Sequence, residues 1–400
     1  MAGVSEFGKN EAGKGITRLA YTPEDFAAQK WLLEQVKDLD LTITQDAVGN
    51  TFLRRPGKNN ALPPVAMGSH LDTVIQAGAY DGIVGVVGAL EALYMLKDEE
   101  LVAPVEVIIF RAEESSRFGF ATMGSKLMTG SATVEKLSSA TKKNDISFKE
   151  ALQKAGYDPA NYKAAIKAKG CYKCFLEIHI EQGKVLYETG DQIGIVHNIA
   201  APTRFKIIVD GMADHSGATP MGFRKDALVA GAKLILAIEQ AATEEAKNGT
   251  VGTVGVIDVE PSSINVVPGK ATLWVDIRGV QEASIKKTLQ KISEAMKTVS
   301  DTNKVKVTEE LLTADIPVAL SPELAADFAK ICTEKHLKFR HMNSGAGHDA
   351  MHMAKLAPTS MLFIPCKDGI SHNPAESAEI ADVCAAVEVL AAMVKEQANK

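Results

Sequence analysis

The stretch Met67-Gly-Ser-His-Leu-Asp-Thr-Val74, followed by Tyr80-Asp-Gly82 and an apolar run from Ile83 to Leu96, constrains the fold more than any other part of the chain. Val65 to Met67 reads as the end of a buried strand. His70 and Asp72 fall on the loop that leaves it, and Asp81 opens an apolar helix. A neutral imidazole and two carboxylates at a strand end are good ligands for a divalent metal. Asp72 is close enough to His70 to hold its N–H and fix the tautomer. The plainer reading is a polar turn in which Asp81 caps the helix.

The rest of the chain supplies further ligands. Val105 to Phe110 is an apolar strand that runs into Glu113-Glu114. Phe175 to Ile180 is another, carrying His179 and ending in Glu181-Gln-Gly183. Ser360 to Ile364 is a third, followed by a loop that holds His372. Sites in open α/β sheets form outside the carboxyl ends of the strands, so all four loops can face one crevice. Adjacent acids at the end of an apolar strand repel each other unless a cation is near. One of the two can bind metal while the other moves a proton.

Around residue 200 the pattern changes. Strands at 203–210, 250–259, 270–278 and 304–309 and helices at 225–247 and 284–299 follow the order β-α-β-β-α-β, a split βαβ sandwich. After Pro317 the first pattern resumes. The expected organisation is therefore a first part of a catalytic domain over 1–200, an inserted domain over 201–313, and a second catalytic part over 314–400. Residues 1–20 read as a loosely packed leading segment, 123–170 as irregular and helical, and 340–350 as a Gly-rich loop. At 400 residues the chain can bury more than one core. A net charge of −6 with no basic cluster argues against a nucleic-acid partner. No apolar run reaches the length of a membrane span, and Met1 to Phe7 carries no secretory signature. Five cysteines in a chain of this length read as reduced thiols, which points to the cytoplasm.

Eleven short segments, spread over nearly the whole chain, carry a resemblance. They are Gly-Ile-Thr-Arg-Leu-Ala-Tyr (15–21), Asp-Ala-Val-Gly-Asn (46–50), Gly-Ser-His-Leu-Asp-Thr-Val (68–74), Tyr-Asp-Gly (80–82), Glu-Glu-Ser-Ser-Arg-Phe (113–118) and His-Ile-Glu-Gln-Gly (179–183). His-Ser-Gly-Ala-Thr-Pro-Met (215–221), Asn-Val-Val-Pro-Gly (265–269), Asp-Ile-Arg (276–278), Ser-Gly-Ala-Gly-His-Asp-Ala (344–350) and Ser-His-Asn-Pro-Ala-Glu (371–376) follow in order. The chain resembles the hydantoinase/carbamoylase branch of the di-metal aminoacylase and carboxypeptidase superfamily, which includes N-carbamoyl-L-amino acid hydrolases, allantoate amidohydrolases and ureidopropionases. The resemblance implies an α/β, di-metal aminopeptidase-like catalytic domain with a mixed central sheet. It also implies an inserted α+β, ferredoxin-like domain that acts as dimerisation surface and lid.

By position, the resemblance implies that His70 and His179 hold one metal, Glu114 and His372 the other, and that Asp81 bridges them. Zinc is the first expectation, with manganese, cobalt or nickel as alternatives. Glu113 is the implied general base and acid, and Asp72 supports His70. His215 stabilises the transition state from the partner subunit. Asn265 and Arg278 contact substrate across the dimer, Gln182 meets the amide or ureido group, and the backbone of Gly345 to Gly347 approaches the ligand. The implied reaction is hydrolysis of a C–N bond in a small N-carbamoyl or ureido acid by a homodimer. An N-carbamoyl-L-amino acid hydrolase is the first reading. An allantoate amidohydrolase or ureidopropionase comes next, then an aminoacylase or dipeptidase. A non-catalytic metal-binding protein on the same scaffold is the reading of a different class, but no ligand or base is missing.

Two departures stand out: Ala112 replaces the usual acid before the Glu pair, and Ser115 the usual Gly after it. The chain also begins without the usual leading helix. Cys171-x-x-Cys174 has no second pair to make a zinc site. His197, His336, His341 and His352 read as ordinary imidazoles. His348 stays open between that reading and a site role, and Asp349 reads as a helix cap. Arg117 and Arg278 both suit ion pairs, with Arg278 the better functional candidate.

Overall fold

The computed structural model describes residues 1–10, 13–139 and 146–400. Contacts divide the chain into two units, Met1–His197 with Ala319–Lys400, and Asn198–Val318.

The strands of the first unit are β1 (Thr42–Gln45), β2 (Thr51–Arg55), β3 (Val65–His70), β4 (Val105–Phe110), β5 (Cys174–Ile180) and β6 (Ile193–Ile199). Those of the second are β7 (Ala201–Asp210), β8 (Asp214–His215), β9 (Val251–Glu260), β10 (Val266–Val267), β11 (Lys270–Gly279) and β12 (Lys306–Ala314). The chain then adds β13 (Val318–Ala319), β14 (Phe339–Ser344) and β15 (Thr359–Ile364). One nine-stranded sheet runs β1-β2-β4-β3-β5-β15-β6-β13, with β14 also on β6. Its centre, β4-β3-β5-β15, is parallel. Antiparallel strands flank it, β2 on β4 and β6 on β15.

Every residue of β3, β4, β5 and β15 is buried. Strands covered on both faces need largely apolar sequence, which these supply, with Glu106 and Glu177 as buried acids among it. The helix Ile83–Met95 packs on β3 and β5 and against the terminal helix Ile380–Asn399. It is apolar almost all round, as a helix enclosed on most sides must be. The result is four parallel strands whose carboxyl ends open at one edge of a rigid core.

In the second unit β12-β7-β11-β9 form an antiparallel sheet. Burial alternates along β7 and β11, and Phe205, Ile207, Val209, Leu273, Val275 and Ile277 point into one core. The helices Ala227–Glu245 and Glu282–Asn303 cover that face. The opposite face carries polar residues, including Arg204, Asp276 and Arg278.

Several local expectations change. His70 is the last residue of β3, not part of the following loop. Residues 193–199 and 339–344, neither read as strands, are β6 and β14. The described residues of the leading segment include held positions: a helical turn, Ala2–Ser5, buries Val4, and Arg18 is completely buried. The Arg18 guanidinium donates to the carbonyls of Val4, Phe7 and Leu71. A buried charge persists when most of its donors are met, and here main-chain oxygens meet Nε and Nη1, while Nη2 has no partner. The expected irregular stretch is a set of short helices, among them Met123–Met128, Val134–Leu137 and Phe148–Lys154. Residues 140–145 of that stretch lie outside the described residues. None of the helices among the described residues is long and apolar enough to cross a membrane.

Candidate metal centre

Each parallel strand delivers donors from its carboxyl end. β3 ends at His70, β4 leads to Glu113 and Glu114, β5 carries His179, and β15 leads to His372. All four connections turn sharply. Gly82, Ala112, Gln182 and His372 have left-handed backbone, with φ of 69°, 53°, 57° and 55°. For a residue with a side chain this conformation costs about 1–3 kcal/mol and tends to be held at functional sites.

Two donor triplets converge, each with its ligand atoms within 4.8 Å of one another. One is His70, Asp81 and His179; the other is Asp81, Glu114 and His372. Asp81 belongs to both and reaches each with a different oxygen. Its Oδ1 lies 3.2 Å from His179 Nε2, and its Oδ2 lies 2.9 Å from His372 Nε2. His372 Nε2 is also 3.3 Å from Glu114 Oε1. The structure thus brings together all five residues expected to be ligands.

The imidazoles are oriented by main chain. His70 Nδ1 is 3.0 Å from the Asp72 carbonyl, and His179 Nδ1 is 3.0 Å from the Ile180 carbonyl. A carbonyl only accepts, so each Nδ1 carries a proton, and Nε2, which faces Asp81 or its neighbours, is the nitrogen left for a metal to take. This differs from the expected role of the Asp72 side chain, whose Oδ1 is 3.8 Å from His70 Nδ1. The Asp72 carboxylate accepts instead from the backbone N–H of Glu113 at 3.2 Å and of Glu114 at 3.0 Å. It fixes the acidic pair, while its own carbonyl fixes the imidazole.

Asp81 is no helix cap: Gly82 stands at the cap position, and no side chain caps that helix. A Cβ added at Gly82 would lie 2.3–2.5 Å from three atoms of the His70 ring. Only glycine meets both that approach and the positive φ. Glu376, quoted in a motif but given no role, holds the two loops together. Its Oε1 accepts from Tyr80 N and Asp81 N, and its Oε2 from Ser371 Oγ, next to His372. An acid four residues after His372 was the available signal.

The electrostatics suit a cation. Burial, with Glu114, Asp349, Asp72 and Asp81 nearby, holds the Glu113 carboxyl well above the usual range. Burial also raises Glu114, and it raises Asp72 to about 8. It pushes His70 down to about 4, so that ring is neutral. Burial would raise Asp81, but hydrogen bonds to His179 and His372 hold it well below the usual carboxylate range. Burial would lower His179, yet Asp81 lifts it to about 9. Hydrogen bonds to Asp81 and Glu114 lift His372 to about 10. The buried Gln182 Oε1 has no partner, while its Nε2 lies 3.2 Å from both Asp81 oxygens. Imidazole nitrogens and carboxylate oxygens in two triplets with a shared carboxylate fit two divalent ions of the borderline class. His70, Asp81 and His179 would hold one, and Asp81, Glu114 and His372 the other.

Glu113 Oε2 lies 3.7 Å from His70 Nε2, beside the triplets and in neither. His348 is buried, with its ring 4.5 Å from His179 and its Nε2 2.9 Å from Ser344 Oγ. It also joins Glu177 and His179 in a third donor group. Asp349 stands at the cap position of the helix Ala350–Met353, but its side chain makes no cap bond; its Oδ1 accepts from Ser125 Oγ. Gly345 and Gly347 follow β14, and a Cβ at Gly345 would meet nothing within 4 Å. Cys171 and Cys174 are free thiols.

His215, Asn265 and Arg278 belong to the second unit. β8 and β10 form a small ribbon that pairs His215 with Val266, beside Asn265. His215 Nδ1 accepts from Gly217 N and Ala218 N at 3.0 and 3.1 Å, so its exposed ring carries the proton on Nε2. Arg278 and Arg204 share the Asp276 carboxylate.

A model of the peptidase family M20/M25/M40 matches residues 66–396. A ureidoglycolate hydrolase of Arabidopsis thaliana is 39% identical over 94% of this chain and 80% of its own length. An N-carbamoyl-L-amino-acid amidohydrolase of Pseudomonas is 36% identical over 97% of this chain and 94% of its own. An allantoate amidohydrolase of Escherichia coli is 35% identical over 98% and 95%. The crystal structure of a hydantoinase/carbamoylase family amidase from Burkholderia multivorans superposes with a TM-score of 0.90 at 32% identity, covering all of this chain and 96% of that one. Sequence and fold agree that the chain belongs to the M20/M25/M40 peptidase family, on its hydantoinase/carbamoylase side, and is a hydrolase acting on amides.

Proposed function

We propose that the chain hydrolyses the ureido C–N bond of a small α-ureido acid, with an N-carbamoyl-L-amino acid as the substrate and the free amino acid, ammonia and carbon dioxide as products. The observation that carries this reading is the pair of triplets sharing Asp81, with Glu113 buried beside them and outside both. Divalent ions held there, zinc before manganese, cobalt or nickel, would polarise the ureido carbonyl and acidify the attacking water. Glu113, buried beside the triplets, takes the proton of that water and returns it to the leaving nitrogen. Asp72 keeps Glu113 and Glu114 in place through their backbone N–H groups. Gln182, beside Asp81, contacts the ureido group.

The second unit supplies the remaining groups as a dimerisation and lid domain. His215 Nε2–H donates to the oxyanion that develops on the carbonyl. Arg278 pairs with the substrate carboxylate through its planar fork, and Asn265 adds a polar contact. From the first unit, the Gly345–Gly347 backbone would approach the ligand. Each of these second-unit groups serves the partner's centre in a two-fold dimer. Five free thiols suit a reducing, cytoplasmic setting.

A second reading has its own support. The Arabidopsis relative, at 39% identity, is named for ureidoglycolate, which carries the same ureido and carboxylate groups on one carbon. Allantoate, named for the Escherichia coli relative, presents two ureido groups on such a carbon. Ammonia release from N-carbamoyl-L-amino acids, ureidoglycolate, allantoate and 3-ureidopropionate, measured with each metal, decides among them. Cleavage of acyl amino acids or dipeptides alone would overturn the ureido reading.

A further inference from the structure

Two imidazoles outside the metal centre face each other. His197 lies on β6 and His341 on β14, and these strands are neighbours. Their ring centroids are 4.7 Å apart, with the planes tilted by 44°. His197 Nε2 is 2.7 Å from His341 Nδ1. His341 is exposed and His197 half-buried. Both belong to the first unit, and neither is part of the donor triplets.

Two imidazoles this close cannot both be protonated without repulsion, and burial with His341 beside it lowers His197. Burial and that repulsion favour a neutral His197 ring. Metal–nitrogen bonds of about 2.0–2.1 Å, set at a right or tetrahedral angle, hold two donors roughly 2.9–3.4 Å apart. A separation of 2.7 Å reaches that range if the rings open by a few tenths of an ångström, within the freedom of a half-exposed pair.

We propose that His197 and His341 form a second, chelating site for a borderline divalent cation, with water completing its coordination. Two imidazoles without a carboxylate select zinc, nickel or copper over calcium or magnesium, which require oxygen ligands. The location gives the ion a structural effect. His197 is the last residue before the chain leaves the first unit, and its carbonyl accepts the N–H of Leu320, just after the chain returns. An ion on the pair staples β14 to β6 at that point of exit and return.

The test uses the whole protein with its catalytic centre saturated with zinc. Equilibrium dialysis against micromolar zinc is followed by metal counting in the wild type, His197→Ala and His341→Ala. The wild type should hold one equivalent more than either variant, and added zinc should raise the melting temperature of the wild type alone. Hydrolysis at low zinc should be equal in all three, so the outcome is separate from that of the catalytic reading. Equal metal counts in the three proteins, or an additional equivalent that survives both substitutions, would overturn the proposal.

Discussion

Glu376 Oε1 accepts the backbone N–H of Asp81 at 3.1 Å, although the two residues are 295 positions apart. The same oxygen takes the Tyr80 N–H at 3.0 Å, and the second oxygen takes the Ser371 hydroxyl at 2.9 Å. One carboxylate thus sets the distance between the loop of Asp81, which both triplets share, and the loop of His372. Partners of this kind are typically worth about 10–100-fold in metal affinity. Glu376→Ala should therefore weaken metal binding by about that factor, measured by competition with a chelator. Unchanged affinity in a folded variant would show that the loops hold their spacing without it.

Glu113→Gln separates base from ligand. The variant should keep its full metal content, and turnover should fall by about 10²–10⁴, the usual scale for proton-transfer catalysis. Metal analysis and steady-state kinetics on one preparation read both. Loss of metal, or near-normal turnover, would contradict the role.

Gly82→Ala places a methyl group 2.3–2.5 Å from the His70 ring, on backbone at φ 69°. Either the ring or the turn must move. Strained backbone of this kind costs about 1–3 kcal/mol, and the metal-free protein should lose at least that much in denaturant unfolding. Metal binding should weaken as well, because the displaced ring belongs to one of the two triplets. Wild-type stability and affinity in this variant would mean that the loop relaxes without strain.

The assignment of His215 to the partner's centre is open to a mixing experiment. Glu113→Gln and His215→Ala chains should each be nearly inactive. Random reassociation makes half the dimers mixed, each with one intact centre, and about one quarter of wild-type activity should return. Proven subunit exchange with no recovery would mean that His215 serves its own subunit or none.

Much of the centre was legible because ligand chemistry is a property of side chains. Histidines and acids at the ends of apolar runs declare themselves, and the five expected ligands do meet. The supporting contacts were illegible for the complementary reason. The orienting acceptors of His70 and His179 are the carbonyls of Asp72 and Ile180, groups that every residue has. Arg18 looks solvent-exposed among glycines, and the main-chain oxygens that accept from its buried guanidinium come from residues 4, 7 and 71. β14 escaped notice because Phe-Arg-His-Met-Asn-Ser has no apolar alternation, and most of it is not buried. The inserted sheet was easier, since β7 and β11 alternate cleanly between core and surface.

The sharing of Asp81 between two triplets has a consequence for how the protein comes into being. Synthesis runs from the amino end, and His70, Asp81 and His179 are all made before the second unit begins. The other triplet waits for His372, on the far side of that unit. A growing or prematurely terminated chain therefore owns the donors of one ion long before those of the other. Truncation anywhere between residues 180 and 371 leaves Asp81 with a single set of companions, and no later folding can supply the second.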